Sequence, residues 1–463
     1  MTEPAPESPT IVWFRDDLRA ADHPALTAAV ERGAPVIALF VLDDESDGIR
    51  PIGGASRWWL HHSLEALSEA LAAIGGRLVL RRGAAAAVIA DLITQTGAGA
   101  IVWNRRYGGA ERAIDTEVKE SSRAAGLDAR SFAGSLLFEP WTITTGQGGP
   151  YSVFSPFWRA CLASGEPRHP LPTPSALPSS PPTGPEVESD VLDDWGLLPT
   201  GPDWAQGLRD AWTPGEAGAI SRLGTFVDEG LPLYSEHRDE PAVLATSNLS
   251  PHLRWGEVSP YTVWHALDEV RRMSPGAKNP AKFLAELGWR EFSYHLLFHN
   301  PDMATKNFRP DFDRFPWAEP SEDTLHAWQR GRTGIPLVDA GMRQLWKTGY
   351  MHNRVRMVAA SFLIKNLLVD WRVGEAWFWD TLVDADPASN SASWQWVAGS
   401  GADAAPYFRV FNPVLQETKF DPDREYIREF VPEVDGADYP EPIIDLGDSR
   451  KAALAAYEVV KRG

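Results

Sequence analysis

The sequence contains little cysteine and no long apolar segment. Cys161 is the single cysteine in 463 residues, which excludes a disulfide framework, a zinc ribbon and a four-cysteine iron–sulfur cluster. No apolar run approaches the roughly 20 residues that span a bilayer. The first residues, MTEPAPESPTIVWF, lack the basic and apolar regions of a signal peptide. We therefore expect a cytoplasmic protein that makes no contact with a membrane.

Two common phosphate-binding motifs are also missing from the first part of the chain. The first apolar segment continues as FRDDLR, where a dinucleotide-binding protein would carry GxGxxG, and no GxxxxGK[ST] motif follows. A cofactor bound by this part of the chain is therefore not held by a standard dinucleotide loop.

The net charge of −19 is unevenly distributed along the chain. The segment from Arg271 to Arg372 contains 16 Lys and Arg against 10 Asp and Glu, a net +6, so the remainder carries −25. A basic segment inside an acidic chain is typical of a local anion-binding face. Chance clustering of basic residues is the alternative reading.

The apolar pattern predicts two domains joined by a long connector. Short β-rich segments alternate with helical patterns in the first third, which is typical of a parallel sheet covered by helices on both faces. The predicted strands are 10–15, 35–42, 77–80 and 100–104, and the predicted helices are 23–32, 55–74, 85–96 and 110–125. Residues 165–202 are rich in Pro, Ser and Gly and predict a surface linker.

From residue 204 onward the pattern is almost entirely helical. Predicted helices include 216–229, 260–273, 280–298, 337–346, 351–368 and 376–382. We therefore predict a Rossmann-like α/β domain over 1–135, a linker over 136–205 and a large all-α domain over 206–463.

Two motifs of the helical part combine charged residues with residues suited to stacking. In ELGWREF, Glu286, Trp289 and Arg290 share one helical face. In GYMHNRVRM, Asn353 and Met357 are four residues apart, and the basic residues between them lie at a helix start, where anions are favoured. A buried ion pair and an exposed basic turn are the structural alternatives.

A third motif, DADPASNSASWQW, places two acidic residues before an amide and two indoles. Asp384 and Asp386 lack the further ligand spacing of a hard-ion loop, so we predict no metal here. Their oxygens suit the N–H groups of a planar ring or a ribose, while Asn390 and Trp394 are four residues apart. The alternative is a capping loop. TSNLS at 246–250 forms either an anion nest or a helix cap.

Tryptophan is unusually frequent, with 20 residues in the chain, several of them near this motif. Most indoles are expected to fill cores or stack on planar groups. Taken together, the motifs supply a phosphate nest, hydrogen-bonding groups for a heterocycle, stacking indoles and a basic rim. They favour a flavin or nucleotide bound in the helical domain beside a nucleic-acid face.

The same motifs identify a family resemblance. GYMHNRVRM, DWR, ASNSASWQW and GADAAPYFRVFNP, with TSNLS and ELGWREF upstream, resemble the photolyase/cryptochrome family. IVWFRDDLR and SRWWLHHSLEAL are similar to the opening domain of that family, so the resemblance covers nearly the whole chain. Within the family the chain looks most like bacterial cyclobutane pyrimidine dimer photolyases, including those related to plant cryptochromes.

The resemblance implies that FAD binds in a U shape in the helical domain. Its phosphates would lie at the nest, Asp384 and Asp386 would hold the ribose and the ring edge, and Asn390 would face the flavin N5, where signalling cryptochromes tend to carry aspartate. The implied cofactor residues are Tyr234, Thr246, Ser247, Leu249, Ser250, Phe283, Arg290, Arg356, Asp384, Asp386 and Asn390.

The resemblance also implies an electron-transfer chain and a lesion pocket. Trp394, Trp371 and Trp317 match the chain that carries electrons from the surface to the flavin. The lesion residues would be Glu286, Trp289, Asn353, Met357 and Trp396, with Arg354 and Arg409 on DNA phosphates. Trp289 and Trp396 would stack on the lesion after it has been extruded from the DNA, a step that photolyases perform. Glu286 would form a hydrogen bond with a thymine carbonyl and stabilise the charge that develops there.

Three departures from relatives accompany the resemblance. Phe283 and Tyr350 stand where some relatives carry tryptophan. The stretch Gly108–Glu111 lacks the asparagine of an Asn–Glu pair that grips methenyltetrahydrofolate in one group. We expect a 5,10-methenyltetrahydrofolate antenna, with 8-hydroxy-5-deazaflavin or no antenna as alternatives.

The expected activity is light-driven repair of pyrimidine dimers by a monomer acting on UV-damaged single- or double-stranded DNA. A cryptochrome would share the fold and FAD, but it usually adds a long extension, and this chain stops at Gly463. A (6-4) photolyase would be expected to carry a second histidine beside His352, where Asn353 stands. A flavin electron carrier without a DNA role is the alternative from another class.

Overall fold

The computed structural model describes residues 8–178, 187–274, 276–404 and 408–462. The N-terminal part forms a five-stranded parallel sheet with strand order β3-β2-β1-β4-β5. Its strands are β1 Thr10–Phe14, β2 Val36–Leu42, β3 Leu78–Arg82, β4 Ala100–Asn104 and β5 Asp128–Phe132. Central strand β1 pairs with β2 on one side and β4 on the other, so that Trp13 lies opposite both Leu39 and Trp103.

Helices cover both faces of this sheet, as the apolar strand pattern predicted. They are α1 Pro24–Arg32, α2 Gly54–Ala73, α3 Ala85–Thr96 and α4 Gly109–Ala124. Successive side chains of β1 enter two separate cores, because strand residues alternate between faces. Val12 and Phe14 belong to one core, and Ile11 and Trp13 belong to the other.

The sequence analysis missed strand β5. Its sequence DARSF is polar, and Ala129 is its one fully buried residue. The strand lies at the edge of the sheet and pairs only with β4. An edge strand that places one small side chain in the core lacks the continuous apolar run by which the other strands were recognised.

The segment predicted as a surface linker packs closely against the α/β domain, contrary to that prediction. Leu177, Trp195 and Leu197 are at most 6% exposed and join the core on one face of the sheet. The segment before it contains helix α5, Phe154–Ala163. Residues 179–186 of the Pro-rich stretch lie outside the described residues. The predicted boundaries at 135 and 205 remain predictions.

The remainder of the described chain is helical. Its helices are α6 Gln206–Ala211, α7 Glu216–Thr225, α8 Leu231–His237, α9 Ser250–Arg254, α10 Pro260–Met273, α11 Lys278–His299, α12 Glu322–Gln329, α13 Pro336–Thr348, α14 Asn353–Ser361, α15 Trp371–Thr381, α16 Ser389–Ala398, α17 Pro413–Phe420, α18 Glu425–Phe430 and α19 Leu446–Lys461. Across the described residues, no helix is both long and apolar enough to cross a membrane.

Two predicted helices are interrupted by π-helical turns. The predicted helix 216–229 becomes α7 followed by the turn Phe226–Gly230, and the predicted helix 351–368 becomes α14 followed by the turn Phe362–Asn366. Helix α14 begins two residues later than predicted because the ring of His352 accepts the backbone N–H of Arg354 and caps the helix.

One buried carboxylate joins the α/β domain to the helical part. Glu257 is 0% exposed, and its Oε1 accepts hydrogen bonds from the indole of Trp59 and the hydroxyl of Ser63, both on α2, at 2.9 and 2.7 Å. The same oxygen accepts the backbone N–H of Gly215 at 2.7 Å, and Oε2 lies 2.5 Å from Nδ1 of His252. Four groups from three helical segments therefore depend on one side chain.

We predict that Glu257→Ala strongly destabilises the protein, because it leaves several buried donors without an acceptor. Breaking one partner of such a buried network costs about 3–5 kcal/mol. Glu257→Gln should cost much less, since its carbonyl oxygen still accepts from the α2 donors. The midpoints of thermal unfolding test this, with Glu269→Ala as the exposed control. Equal midpoints for Glu257→Ala and Glu269→Ala would contradict the prediction.

Candidate active site

The centre of the site is a buried amide whose orientation is set by a neighbouring carboxylate. Asn390, near the start of α16, donates through Nδ2 to the backbone oxygen of Glu375 at 3.1 Å and to its Oε1 at 2.9 Å. Glu375 also accepts from Arg50 of the α/β domain at 2.7 and 2.9 Å. Because the NH₂ group of Asn390 faces Glu375, its carbonyl oxygen Oδ1 is directed away and is available to accept a hydrogen bond.

An ion pair lies at the loop that precedes α16. Nη2 of Arg356 donates to both oxygens of Asp384 at 3.1 and 2.8 Å, while its Nε donates to the backbone oxygen of Met351. Burial acts to lower the pKa of Arg356, but the Asp384 carboxylate outweighs it and raises that pKa. The charge of Asp384 thus keeps the Arg356 guanidinium cationic, and the ion pair holds the two side chains beside the loop.

Asp386 has a capping role in the structure. Its Oδ1 accepts the backbone N–H groups of Ala388 and Ser389 at 2.9 and 2.6 Å, and its Oδ2 accepts the hydroxyl of Tyr294 at 2.7 Å. Burial and the negative charge of Asp386 raise the pKa of Tyr294 well above its usual value, so the phenol remains a donor. Asp386 therefore caps the loop, which was the alternative considered for this motif. Asp384 instead forms the ion pair with Arg356.

The TSNLS segment forms a tight polar turn. Asn248 adopts a left-handed backbone with φ of 51°, the backbone N–H of Leu249 approaches the hydroxyl of Ser247 at 3.3 Å, and Ser250 begins α9. Alternation of right- and left-handed residues makes a concave arrangement of N–H groups that suits phosphate. Thr246 adds a hydroxyl to this turn.

Aromatic side chains form a compact group near this part of the chain. The rings of Tyr234 and Phe283 lie 5.2 Å apart at an angle of 79°, and Phe226 contacts Phe283 at 4.5 Å. Phe283, which replaces the tryptophan of some relatives, is thus fixed by edge contacts. Arg290, two turns further along α11, donates to the backbone oxygen of Ser135 at 2.8 Å.

Two half-buried indoles are connected through one loop residue. Trp289 stacks on Phe154 with ring centres 3.9 Å apart and an angle of 9°. Trp396 donates from Nε1 to the backbone oxygen of Asp403 at 3.1 Å, and the Asp403 carboxylate accepts the backbone N–H of Phe154 at 3.3 Å. Asp403 therefore ties the two indoles predicted to stack on a lesion to the same loop.

The charged residues predicted for the lesion face are paired with two residues that the sequence analysis did not identify. Glu286 forms a short ion pair with Arg238, and Arg354 pairs with Asp239 at 2.9 Å. Burial acts to lower the pKa of Arg238, but the hydrogen bond and charge of Glu286 outweigh it and raise that pKa. Arg238 and Asp239 directly follow α8, so one turn holds both predicted contact residues in place.

The remaining predicted lesion and DNA residues lie around these pairs. Asn353 is exposed at the first residue of α14, and the sulfur of Met357 lies 4.0 Å from Nη1 of Arg354. The guanidinium of Arg354 also lies 4.5 Å from the ring centre of Phe420. Arg409 is exposed beside Phe411.

The three tryptophans of the predicted electron chain extend from the interior towards the surface. Trp394 and Trp371 are 2% and 0% exposed, and Trp317 is half-buried against Phe315. The indole of Trp371 donates to Asn307 at 3.0 Å. Gly374, one turn after Trp371, makes room for Trp394, because a Cβ there would meet the Trp394 ring at 2.1 Å.

Comparison with known proteins places this geometry in a family. The profile described as DNA photolyase matches residues 10–175, and the profile described as FAD binding domain of DNA photolyase matches residues 283–437. The chain is 52% identical to a deoxyribodipyrimidine photo-lyase of Agrobacterium fabrum, over 98% of both chains. It is 38% identical to cryptochrome-1 of Arabidopsis thaliana, over 96% of this chain and 69% of that protein.

A solved structure supports the same placement. The chain superposes on a bacterial class III photolyase from Agrobacterium tumefaciens with a TM-score of 0.94 and 51% identity, over the whole of both chains. The fold is thus that of a flavoprotein with an N-terminal α/β domain and a helical FAD-binding domain. The chain belongs to the DNA photolyase/cryptochrome family.

The side chains of the site fit the FAD that this family binds. The polar turn at 246–250 supplies N–H and hydroxyl donors for phosphates, and the Arg356–Asp384 pair supplies a fixed charge for a polar ring edge. The free carbonyl oxygen of Asn390 supplies an acceptor for a ring N–H group. This donor set combines an anion nest with in-plane hydrogen bonding, as a flavin dinucleotide requires.

We predict that Gly374→Ala displaces Trp394 and destabilises the helical domain. Overpacking of a buried site costs about 1–3 kcal/mol, and the added Cβ would lie far inside contact distance of the indole. Gly224→Ala, in the open part of α7, is the matched control; it should be neutral or stabilising, because alanine favours helix by about 1 kcal/mol. Thermal unfolding and light-driven flavin reduction of both variants test the prediction, and equal behaviour of the two would contradict it.

Proposed function

We propose that this protein repairs cyclobutane pyrimidine dimers in UV-damaged DNA by light-driven electron transfer from reduced FAD. The observation that carries the proposal is which side chains lie on α16. This helix presents an oriented amide, Asn390, a buried indole, Trp394, and a half-buried indole, Trp396. A single rigid element thus links the flavin contact to the lesion contact. The deoxyribodipyrimidine photo-lyases among the relatives support the substrate class.

Bound reduced FAD supplies the light-excited electron that opens the cyclobutane ring and receives it back afterwards. Asn390 contributes an acceptor oxygen at the ring because Glu375 takes its NH₂ group. An acceptor favours the reduced flavin, whose N5 carries a hydrogen, whereas a donor would favour the oxidised ring. The Arg356–Asp384 pair and the polar turn at 246–250 would hold the rest of the cofactor.

Trp289 and Trp396 would hold the extruded lesion by stacking. Stacking of a base on an aromatic side chain contributes about 1–3 kcal/mol, and Phe154 and Asp403 keep the two indoles in position. Asn353 and Met357, on one face of α14, would complete the pocket.

Glu286 and its ion-pair partner Arg238 would each make a different polar contact with the lesion. Paired with the guanidinium of Arg238, the side-chain oxygens of Glu286 act as acceptors and would take a thymine N–H group. Arg238 has several donors, and it would bind the thymine carbonyl on which negative charge develops. The hydrogen bond to the carbonyl that the resemblance assigned to Glu286 would thus come from its partner.

The direct test is repair of a thymine-dimer oligonucleotide by the reduced protein in light and in darkness. We expect restored thymines only in the light, and Glu286→Ala should lower the yield per photon while FAD content is retained. Glu269→Ala, at an exposed position, is the control. Absence of light-dependent repair by protein with bound, photoreducible FAD would contradict the proposal and favour a (6-4) substrate or a photoreceptor role.

We infer that Asp239 restrains the affinity for DNA through its ion pair with Arg354. A phosphate must compete with this carboxylate for the guanidinium, so Asp239→Asn should tighten binding to damaged DNA. Arg354→Met should weaken it and reduce the dependence of log affinity on log salt by about one phosphate contact. Binding titrations at several salt concentrations test this. Asp228→Asn is the exposed charge control, and an equal gain in that variant would contradict the inference.

A folate antenna is the second cofactor that we propose. A cleft between the α/β domain and α11 is lined by Arg105, Arg112, Lys119, Trp141 and Phe298, and also by Asp115 and Glu120. Its exposed indole suits a pterin ring, and its cations suit the carboxylates of the folate tail. The carboxylate of Glu111 lies against Gly108 and occupies the space that a side chain at position 108 would need. Near-UV absorbance of cofactor released from the purified protein tests this; a deazaflavin spectrum, or FAD alone after folate addition, would contradict it.

A further inference from the structure

Helix α2 carries a group of side chains suited to metal binding that are not among the proposed flavin and lesion contacts. His61 and His62 are adjacent in its middle, and Glu65 follows one turn later. Their donor atoms all lie within 4.8 Å of one another, and no other part of the described chain brings three His, Cys, Asp or Glu donors together in this way. The group includes two imidazoles, the side chains that zinc prefers together with thiolates.

A fourth donor comes from a separate segment. Oδ1 of Asp193 lies 3.8 Å from Nε2 of His61, and Asp193 belongs to the short 3-10 helix Leu192–Trp195 of the interdomain segment. Nε2 of His61 lies 3.5 Å from Glu65, and Nδ1 of His62 lies 2.7 Å from the same carboxylate. Asp193 thus adds a carboxylate from a second element beside His61.

The separations are close to those that a tetrahedral ion requires. Bonds of about 2.0–2.2 Å place neighbouring donors roughly 3.4 Å apart. The shorter contact between His62 and Glu65 must lengthen for an ion to fit between them. Glu65 and Asp193 are free to move, because their side chains are 52% and 83% exposed. His61, at 3% exposure, is the fixed member of the group.

We propose that His61, His62, Glu65 and Asp193 bind one zinc ion or a similar divalent transition metal. Calcium and magnesium are disfavoured because they take oxygen ligands, whereas two of the four donors here are imidazole nitrogens. The sequence analysis predicted no metal because it considered only the aspartates before α16 as ligands. The sequence HHSLE does not by itself show that Asp193 lies nearby.

The ion would fasten the interdomain segment to α2. Trp195, two residues after Asp193, packs beside Phe40 of the sheet with ring centres 6.2 Å apart. The other end of α2 contacts the helical domain, where the backbone N–H of Gly54 donates to Asp380 at 2.8 Å. An ion at His61 would therefore stabilise a helix on which both domains pack, and binding to the native state alone raises the unfolding midpoint.

The test is titration of zinc into untagged, FAD-containing protein after treatment with a chelator, in competition with a zinc indicator. We expect one zinc ion per chain. Substitution of a residue that only orients a metal ligand lowers metal affinity about 10- to 100-fold. Substitution of a ligand itself, as in His62→Ala or Glu65→Gln, should therefore weaken zinc binding at least as much. Glu69→Gln, one turn further along the exposed face of α2, should not.

A second pair of variants tests the contribution of the interdomain segment. Asp193→Asn should weaken binding, whereas Asp194→Asn, with the same change of charge one residue along, should leave it unchanged. Cobalt in place of zinc should give the intense visible absorption of a four-coordinate site. Unchanged FAD absorbance verifies the folding of each variant. No saturable binding, or equal weakening in variants and controls, would show that these residues form only ion pairs and would overturn the proposal.

Discussion

The carboxylate of Glu375 is shared between the two domains and the centre of the site. It accepts two hydrogen bonds from Arg50 of the α/β domain, and it accepts the amide of Asn390 and the hydroxyl of Ser391 from α16. Glu375 is 3% exposed, and the buried side chains of Asn390 and Ser391 depend on it as an acceptor in place of water. Docking of the domains and orientation of the flavin contact are therefore one constraint, set by one side chain.

The same principle recurs at the other contacts between distant parts of the chain. Glu257 unites α2 with two segments of the helical part, and the turn after α8 supplies Arg238 and Asp239 to two different helices. A buried pair of this kind adds little net stability relative to apolar packing, but the loss of one member is costly. We infer that these pairs specify geometry: they fix which atoms of Asn390, Glu286 and Arg354 face a ligand.

Local patterns in the sequence predicted most of the fold and the composition of the site. Apolar strands, helical periodicity and the four-residue spacings all depend on near neighbours, so they could be read along the chain. Strand β5 was missed because an edge strand buries little. The linker was misjudged because Leu177 stands among Pro and Ser, and Trp195 follows two aspartates, yet both are buried. Phe154, Arg238, Asp403 and Glu375 have no local signature, because their partners lie far away in sequence.

The measurement that tests the central claim is the stability of the reduced flavin in Glu375→Met. A methionine has no side-chain oxygen, so the amide of Asn390 keeps only the backbone oxygen of residue 375 as an acceptor and its orientation is less fixed. The account predicts faster reoxidation in the dark and a lower repair yield per photon, with FAD content retained. Arg50→Met, which breaks the domain contact but leaves the Asn390–Glu375 contact, should retain both properties. A Glu375→Met variant with unchanged reoxidation and yield would contradict the account.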